Sequence, residues 1–404
     1  MTPELRNSER DTEYFAQQIL NMQIASSVET WTTAGRAAAE PQPIPEERER
    51  KNVSTGSSSS SAPRAPRRLV DRFGRVADDL RLSLIDKCNL RCTYCMPAEG
   101  LAWLGRRDLM SCEEAVRVAD IGVRLLGIAE VRFTGGEPLV RADLPEIIGA
   151  LRELHPWLPL SITTNGIGLE KKVDQLIAAG LNRINVSLDT ICAETFAKIT
   201  RRDRLPHVLR GLEAASAAGL HPLKINAVLM RGVNEDGAAE LLEWSLQQGF
   251  QLRFIEQMPL DADHGWNRQN MVTAAEIRTL LEREFTLLPH GQPRGSSPAQ
   301  LWEVVRKGHS EVLGTVGIIA SVTEPFCRAC TRTRVTADGK VMSCLFSSEE
   351  TDLLTAMRAG AADVEIAEIW QRAMWRKPKA HGTDAPLPPD AFASPDRSMS
   401  AIGG

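Results

Sequence analysis

The 404-residue sequence has no apolar run approaching the ~20 residues that a membrane-spanning helix needs, so no membrane span is expected. It has no basic excess either: 48 Lys plus Arg stand against 52 Asp plus Glu, a formal net charge of −4, which gives no reason to expect nucleic acid as a partner. The N-terminus has no apolar signal-peptide core, and its acidic residues (Glu4, Glu9, Asp11, Glu13) argue against a transit peptide.

A disulfide scaffold is also not indicated. The eight cysteines form two triples with metal-ligand spacing plus two singles, a pattern typical of a reducing compartment, and we expect a cytoplasmic protein. The two singles, Cys112 and Cys192, are most simply small buried residues.

The first triple (Cys88, Cys92 and Cys95) lies in the motif CNLRCTYC, directly after an apolar strand-like segment. CxxxCxxC with an aromatic residue before the last Cys is far more restrictive than CxxC alone. No His or Cys stands close by to complete a four-ligand zinc site. Three thiolates on a 4Fe-4S cluster leave one iron open to a small molecule, so the motif predicts a reactive cluster.

The second triple comprises Cys327, Cys330 and Cys344. CxxC followed by a distant Cys suits both zinc and an iron–sulfur cluster, so the spacing alone leaves the two open.

The chain divides into three parts by composition. Residues 1–70 read as a disordered extension with a Ser-rich run, in which a short helix over 14–22 is the one element expected. From about Asp79, six short apolar runs alternate with helix-length segments, and Ser111 with Glu114 forms a capping-box signature. The six predicted strands are Leu80–Ile85, Glu130–Thr134, Leu160–Thr163, Arg183–Leu188, Leu223–Leu229 and Leu252–Ile255.

This alternation predicts parallel βα units, wound into an α/β barrel or an open doubly wound sheet. Six units would give an incomplete (β/α)6 TIM-like barrel over residues 71–285. Residues 286–404, with shorter segments around Val312–Ile319 and Arg334–Val341, are expected to form a smaller C-terminal α+β domain that carries the second cysteine triple.

Polar motifs follow three of the predicted strands: GGEP (Gly135–Pro138), TTNG (Thr163–Gly166) and SLD (Ser187–Asp189). Each alone would be an ordinary strand-ending turn. Function in βα barrels gathers at the carboxyl ends of the strands, so together the three motifs outline one pocket. The glycine pair would let a backbone approach a ligand closely.

The cysteine loop, GGEP and the strand-end polar residues resemble the radical S-adenosylmethionine superfamily. Six further segments, from RLSLIDKC at Arg81 to MSAIGG at the C-terminus, are similar to the MoaA-type GTP 3′,8-cyclases of molybdenum cofactor biosynthesis over about Leu69–Gly404. The resemblance implies that a 5′-deoxyadenosyl radical abstracts hydrogen from C3′ of GTP, and that C3′ then joins C8 of guanine.

The resemblance also implies roles for residues and partners. Two 4Fe-4S clusters would be held by Cys88, Cys92 and Cys95 and by Cys327, Cys330 and Cys344, and S-adenosylmethionine would be lined by Tyr94, Gly136, Ser187 and Met258. GTP would contact Arg81, Arg132, Thr163, Lys224, Arg332, Thr333 and Arg334, of which Arg332 and Arg334 would be catalytic. The implied partners are an electron donor that the sequence does not identify, the cyclic pyranopterin monophosphate synthase that takes the product, and a second copy in a homodimer.

The positions of two basic residues also indicate an anionic ligand independently of the family resemblance. Arg132 and Lys224 lie within apolar strands, where a charged group is costly unless paired, so an anionic ligand is a simple explanation. A buried Asp or Glu partner is the alternative. A terminal Gly403-Gly404 is more often a frayed end, although the resemblance implies that it reaches the active site.

The sequence leaves two alternative functions open. One is a radical enzyme with an auxiliary cluster that acts on a peptide, and the other is a cluster-bearing binding or sensing protein. Formation of 5′-deoxyadenosine would exclude the sensor, and stimulation by GTP but not by peptide would exclude the peptide enzyme.

Overall fold

A computed structural model of the chain describes residues 67–384 and 395–403. The predictions for residues 1–66, including the helix over 14–22, and for Gly404 lie outside these ranges. The described residues belong to one compact unit. The predicted extension runs to residue 70, whereas the first described strand begins at Leu69.

The strands in the described ranges are β1 (Leu69–Val70), β2 (Val76–Ala77), β3 (Asp79–Ser83), β4 (Glu130–Thr134), β5 (Leu160–Thr164), β6 (Arg183–Ser187), β7 (Lys224–Leu229), β8 (Gln251–Glu256), β9 (Phe285–Pro289), β10 (Gln300–Arg306), β11 (Val312–Ile319), β12 (Arg332–Val335), β13 (Lys340–Met342) and β14 (Thr351–Asp352). The α-helices are α1 (Cys112–Leu126), α2 (Leu144–Leu154), α3 (Val173–Ala178), α4 (Ala193–Thr200), α5 (Leu205–Ala217), α6 (Ala238–Gln247), α7 (Ala274–Leu281), α8 (Leu354–Arg358), α9 (Asp363–Trp375) and α10 (Met399–Ile402).

Twelve of these strands form one mixed sheet in the order β14-β13-β12-β3-β4-β5-β6-β7-β8-β11-β10-β9. The central run from β12 to β11 is parallel throughout, and each edge ends in antiparallel strands. The run β3 to β8 corresponds to the six predicted strands in their predicted order. This is the α/β sheet of a partial TIM-type barrel.

The parallel run is longer than predicted, because β11 and β12 join it from the C-terminal part of the chain. Val316 of β11 pairs with Leu252 of β8, and Thr333 of β12 pairs with Leu80 of β3. The predicted boundary at 285/286 falls at the start of β9, which belongs to the same sheet. Strands from the C-terminal part therefore flank the six-stranded run on both sides.

The two faces of the parallel strands differ in chemistry. On the outer face, apolar side chains such as Leu82, Phe133, Ile162 and Phe254 are fully buried under the helices. The intervening positions on the inner face carry Arg, Lys, Ser, Thr and Asn. Because successive side chains of a strand point to opposite faces, this alternation places a polar interior inside an apolar shell.

Local signals explain the helix positions. The capping box predicted at Ser111 is confirmed: its hydroxyl accepts from Glu114 N, and the Glu114 side chain accepts from Ser111 N before α1.

The two single cysteines differ in burial. Cys112 is partly buried against the core, but Cys192 is exposed just before α4, so the predicted burial of Cys192 is wrong. Among the described helices, none combines the length and apolarity needed to cross a membrane.

Candidate active site

A cavity of about 280 Å³ lies at the inner face of the sheet. Side chains from β3 through β8, together with β11 and β12, contribute to its wall, so the sheet curves around it. Of the residues predicted for the site, those that line this cavity are Arg81, Cys88, Cys92, Tyr94, Cys95, Arg132, Gly136, Thr163, Ser187, Met258, Arg332 and Arg334.

The first cysteine triple lies in the loop between β3 and α1. Two backbone bonds tie this loop to the end of α4: Arg91 N donates to Thr200 O at 3.0 Å and Thr93 N donates to Ile199 O at 2.9 Å. Arg201 adds a guanidinium bond to Met96 O at 2.8 Å. The loop is therefore fixed with all three thiols at the cavity wall.

The glycine pair of GGEP is required by this loop. Gly136 N donates to Ile85 O at 2.7 Å, and a Cβ at Gly136 would lie 2.3 Å from Asp86 O and 2.4 Å from Lys87 O. A side chain there would displace the backbone that leads into Cys88. The close approach expected of the glycines is thus made to the cysteine loop itself.

Glu137 joins two of the strand-end motifs. Its carboxylate is 1% exposed and accepts from Thr164 Oγ1 at 2.7 Å, Asn165 N at 2.7 Å and Leu139 N at 2.9 Å. Burial raises the pKa of Glu137 to about 7, although these donors oppose the shift. The sequence contains this residue within GGEP, but its partners Thr164 and Asn165 lie at the end of β5 and could not be identified from sequence.

Asp189 plays the corresponding part on the opposite side of the cysteine loop. Its carboxylate accepts from Tyr94 Oη at 2.9 Å and from Val228 N at 2.8 Å. Burial raises the pKa of Asp189 to about 6. The bond orients the Tyr94 ring, which was predicted to line the cofactor, at the edge of the cavity.

The pKa values of the thiols in the first triple are raised. Burial raises the pKa of Cys88 to about 11 and that of Cys95 to about 12, and it raises the pKa of Cys92 as well. The neighbouring thiols of the triple raise these values further for Cys92 and Cys95. The hydrogen bonds that reach their sulfur atoms come from neutral donors, such as Leu90 N at 3.5 Å and Asn165 Nδ2 at 3.9 Å on Cys88.

The second triple also converges. Burial raises the pKa of Cys327, and the negative charges of the Cys344 and Cys330 thiolates raise it further. These cysteines do not line the cavity themselves, but their neighbours Phe326 and Leu345 do. The second triple therefore lies directly behind residues that line the same cavity as the first triple.

Cys330 lies beside two cations. Burial would raise its pKa, but the charges of Lys377 and Arg332 lower the pKa of Cys330 to about 7. A group of three His, Cys, Asp or Glu side chains with the geometry of a single metal ion is not found in residues 67–384 and 395–403.

The interior below the thiols is basic. Arg81, Arg132 and Arg253 line the cavity, and Lys224 lies on the inner face of β7 two positions before Asn226. Burial lowers the pKa of Arg132 to about 9, that of Lys224 to about 8 and that of Arg253 to about 10, and neighbouring cations lower each value further. Arg253 was missed in the sequence, although it interrupts an apolar strand in the same way as Arg132.

Asp79 provides a carboxylate partner for part of this basic cluster. Asp79 pairs with Arg81 at 2.8 Å and lies 3.7 Å from Arg332, so the alternative of a buried acidic partner holds for these two. Arg132 instead donates to Ser161 Oγ at 3.2 Å, and the Arg253 guanidinium reaches Gln251 Oε1 at 3.4 Å. Within the described ranges, Arg132 and Arg253 are thus largely buried cations without an acidic partner, which favours a negatively charged ligand.

Several buried polar atoms on this inner face have no hydrogen-bond partner within the described chain. They are Ser83 Oγ, Thr134 Oγ1, Asn185 Nδ2, Asn226 Oδ1 and Arg253 Nε. Buried polar groups are almost always bonded, so these atoms fit a polar ligand rather than an empty core.

Two predicted residues are placed differently from the rest. Thr333 is fully buried on the outer face of β12, where its hydroxyl accepts from Trp370 Nε1 at 2.9 Å. Its neighbours Arg332 and Arg334 face the cavity, as strand alternation requires. Lys224 does not reach the cavity wall, and it lies nearer the start of its strand.

The C-terminal segment 395–403 enters the same site. Ser400 lines the cavity, and Gly403 O accepts from Arg334 Nη1 at 2.7 Å. Gly403 has φ 85°, and a Cβ there would lie 2.3 Å from Thr134 Oγ1. Within the described residues, the C-terminus is thus docked in the cavity rather than frayed.

The donor chemistry fits iron–sulfur clusters. Each triple consists of thiols, and the cavity beside them is lined by Thr134, Asn226 and Arg253, whose side chains have buried polar atoms without a hydrogen-bond partner among the described residues. Thiolates are the usual protein ligands of 4Fe-4S clusters, and three leave one iron for a small-molecule ligand.

Comparisons with known proteins agree with this chemistry. A family model described as Radical SAM superfamily matches residues 82–245, and one described as Molybdenum Cofactor Synthesis C matches residues 250–383. The chain is 62% identical to the GTP 3′,8-cyclase of Paenarthrobacter nicotinovorans, over 83% of this chain and 97% of that protein. It is 56% identical to the GTP 3′,8-cyclase of Mycolicibacterium smegmatis, over 87% of this chain and 96% of that protein.

Among solved structures, the chain resembles Streptococcus suis SuiB bound to precursor peptide SuiA, with a TM-score of 0.51. The two are 14% identical over 79% of this chain and 75% of that one, so the likeness concerns the fold alone.

Proposed function

The chain belongs to the GTP 3′,8-cyclase family of radical S-adenosylmethionine enzymes, and from that premise we propose how its residues carry the reaction. The enzyme converts GTP to (8S)-3′,8-cyclo-7,8-dihydroguanosine 5′-triphosphate, the first step of molybdenum cofactor biosynthesis. Its cofactors are S-adenosylmethionine and an iron–sulfur cluster.

The first triple, Cys88, Cys92 and Cys95, would hold the cluster that receives S-adenosylmethionine. Together these two groups supply a 5′-deoxyadenosyl radical when bound. Tyr94, Gly136, Ser187 and Met258 line the adjoining wall and would orient the cofactor. Asp189 would fix the Tyr94 ring, and Glu137 would fix the strand ends on either side of the loop.

The basic interior would receive the triphosphate of GTP. Among the described residues, Arg132, Lys224 and Arg253 form no ion pair with a carboxylate, and Arg or Lys bonded to phosphate neutralises and orients it. Thr163 and Arg81 line the same space. Thr333 faces Trp370 instead, so we propose that it fixes β12 and leaves contact with GTP to its two neighbours.

The second triple, Cys327, Cys330 and Cys344, would hold a second 4Fe-4S cluster next to the guanine end of the substrate. Arg332 and Arg334 extend from β12 between this triple and the cavity. We propose that they are the catalytic residues that place positive charge near the reduced intermediate. Replacing either by Ala should abolish cyclisation while both clusters stay loaded, and wild-type product formation would refute this role.

One observation carries the proposal: one cavity is lined by the first triple, by free cations of the barrel strands and by the neighbours of the second triple. The test is anaerobic incubation of reconstituted enzyme with S-adenosylmethionine, GTP and dithionite. We expect 5′-deoxyadenosine and the cyclised nucleotide in equal amounts, with about eight irons per chain for two 4Fe-4S clusters. 5′-Deoxyadenosine formed without any dependence on GTP would contradict the assignment.

The remaining partners are proposals as well. A one-electron donor must reach the first cluster, and cyclic pyranopterin monophosphate synthase would consume the product. A homodimer is the assembly that light scattering would test.

A further inference from the structure

Lys377 is a buried lysine directly beside the second cysteine triple. The residue is 3% exposed, and its ammonium donates to Cys330 Sγ at 3.4 Å and to Arg332 O at 2.6 Å. It lies just after the end of α9, far in sequence from the cysteines. No sequence pattern signals this contact.

This ammonium has no carboxylate partner. In the part of the chain that the structure describes, no ion pair within 4.0 Å joins Lys377 to an Asp or Glu. An unpaired buried charge is strongly unfavourable, so a compensating anion is required. The sulfur of Cys330 is the acceptor within reach that becomes a permanent anion when it ligates a metal.

The segment after Lys377 is fastened over the same triple. Arg75 Nη1 donates to Cys327 O and to Lys379 O, both at 2.9 Å, and its Nη2 donates to Pro378 O at 2.6 Å. Asp71 holds the Arg75 guanidinium at 2.5 Å. The position of Lys377 is therefore set by several bonds that do not involve its own side chain.

We propose that Lys377 is a dedicated counter-charge for the second cluster, which retains the cluster and raises its reduction potential. This inference rests on the proposed second cluster. A cation bonded to a ligating sulfur stabilises the more negative, reduced state, and hydrogen bonds and charge at the sulfur atoms are recognised determinants of cluster potential. Such outer contacts also contribute about 10- to 100-fold to metal affinity.

The first triple provides an internal contrast. In the first triple, Cys88 Sγ accepts from the neutral donors Leu90 N and Asn165 Nδ2, whereas Cys330 accepts from a charged ammonium. The two clusters would thus differ in potential because of their surroundings. Loss of Lys377 should affect the second cluster and leave the first unchanged.

The test compares Lys377→Met with Lys379→Met in anaerobically reconstituted full-length enzyme. Lys379 is an exposed lysine two residues away, so the control makes the same change in charge without removing a bond to sulfur. The readouts are iron and sulfide per chain, the rate of iron loss to a chelator, and redox titration of the two clusters by EPR. S-Adenosylmethionine cleavage without GTP reports the first cluster separately.

For Lys377→Met we expect the second cluster to be lost about 10- to 100-fold faster and its potential to become more negative, with the first-cluster signal unchanged. Lys379→Met should match the wild type. A second variant, Lys377→Gln, keeps a donor of hydrogen bonds and removes the charge, so it should lower the potential even if the Met variant fails to fold. Wild-type potential and retention in Lys377→Gln would overturn the inference. A wild-type enzyme with only about four irons per chain would instead overturn the proposed second cluster.

Discussion

Arg397 fastens the C-terminal segment to the body of the enzyme, and its loss should release that segment from the cavity. Its guanidinium bonds to Asp338 Oδ1 at 3.0 Å and Oδ2 at 2.8 Å, and it also pairs with Glu350. The segment is also held by the bond from Met399 N to Leu260 O at 3.1 Å, by the bond from Arg334 to Gly403 O and by burial of Ile402.

The expected size of the effect follows from burial. The Arg397 side chain is 20% exposed and its partners are 12% and 21% exposed, so these pairs exceed the ≲1 kcal/mol of a surface ion pair. A hydrogen bond to a charged group contributes about 1.5–3 kcal/mol, or roughly 10- to 150-fold in the ratio of docked to released segment. Lys340 pairs with both carboxylates but carries one charge against their two, so Arg397→Ala also leaves one negative charge uncompensated, which adds to the effect.

Hydrogen exchange of the C-terminal amides measures this ratio directly. In the docked segment Ile402 N donates to Ser398 O and Gly403 N donates to Met399 O, so both amides should be protected. Arg397→Ala should speed their exchange by about 10- to 150-fold. The matched control is Arg376→Ala, whose ion pair with Glu349 is 3.8 Å long and exposed. Unchanged exchange in a folded Arg397→Ala protein would refute this reasoning.

Three further predictions concern single residues of the site. Gly403→Ala places a Cβ against Thr134 Oγ1 and a side chain at φ 85°, so it should expel the segment, and Thr134→Ala in the same chain should restore part of the C-terminal protection. Burial raises the pKa of Glu137 from its ordinary value of 4.5 to about 7, so between these pH values the folded protein keeps a proton that the unfolded chain has lost. In urea unfolding of the metal-free protein, the free energy of unfolding should therefore fall by about 3 kcal/mol from pH 4.5 to 7. The same pH dependence in a Glu137→Gln protein would contradict this prediction. Arg253→Met should raise KM for GTP about 10- to 150-fold without changing S-adenosylmethionine cleavage in the absence of GTP, and an unchanged KM would remove Arg253 from the substrate site.

The strands of the sheet could be predicted because each is a short apolar, β-branched run between helical segments. β4 was predicted at its observed bounds, Glu130–Thr134, and the other five differ at their ends. Local sequence could not show where β11 and β12 lie in the sheet, since each pairs with a strand far away along the chain. Arg332 of β12, for example, pairs with Asp79. Pairing of this kind depends on the chain bringing distant strands side by side when the sheet forms.

The site was predicted least well where a residue's partner is distant. Strand alternation alone would have separated Thr333 from Arg332 and Arg334, because three consecutive strand residues cannot share one face. Lys377 and Arg397 carry no local signal, since each is an ordinary basic residue in sequence. Their contacts with Cys330 and Asp338 exist only after folding.

The most direct test is an anaerobic crystal structure of the reconstituted enzyme with S-adenosylmethionine and GTP. We predict one cluster on Cys88, Cys92 and Cys95, a second on Cys327, Cys330 and Cys344, and the triphosphate bonded to Arg132 and Arg253 of the barrel strands. Zinc in place of the second cluster, or GTP bound outside the cavity, would contradict it.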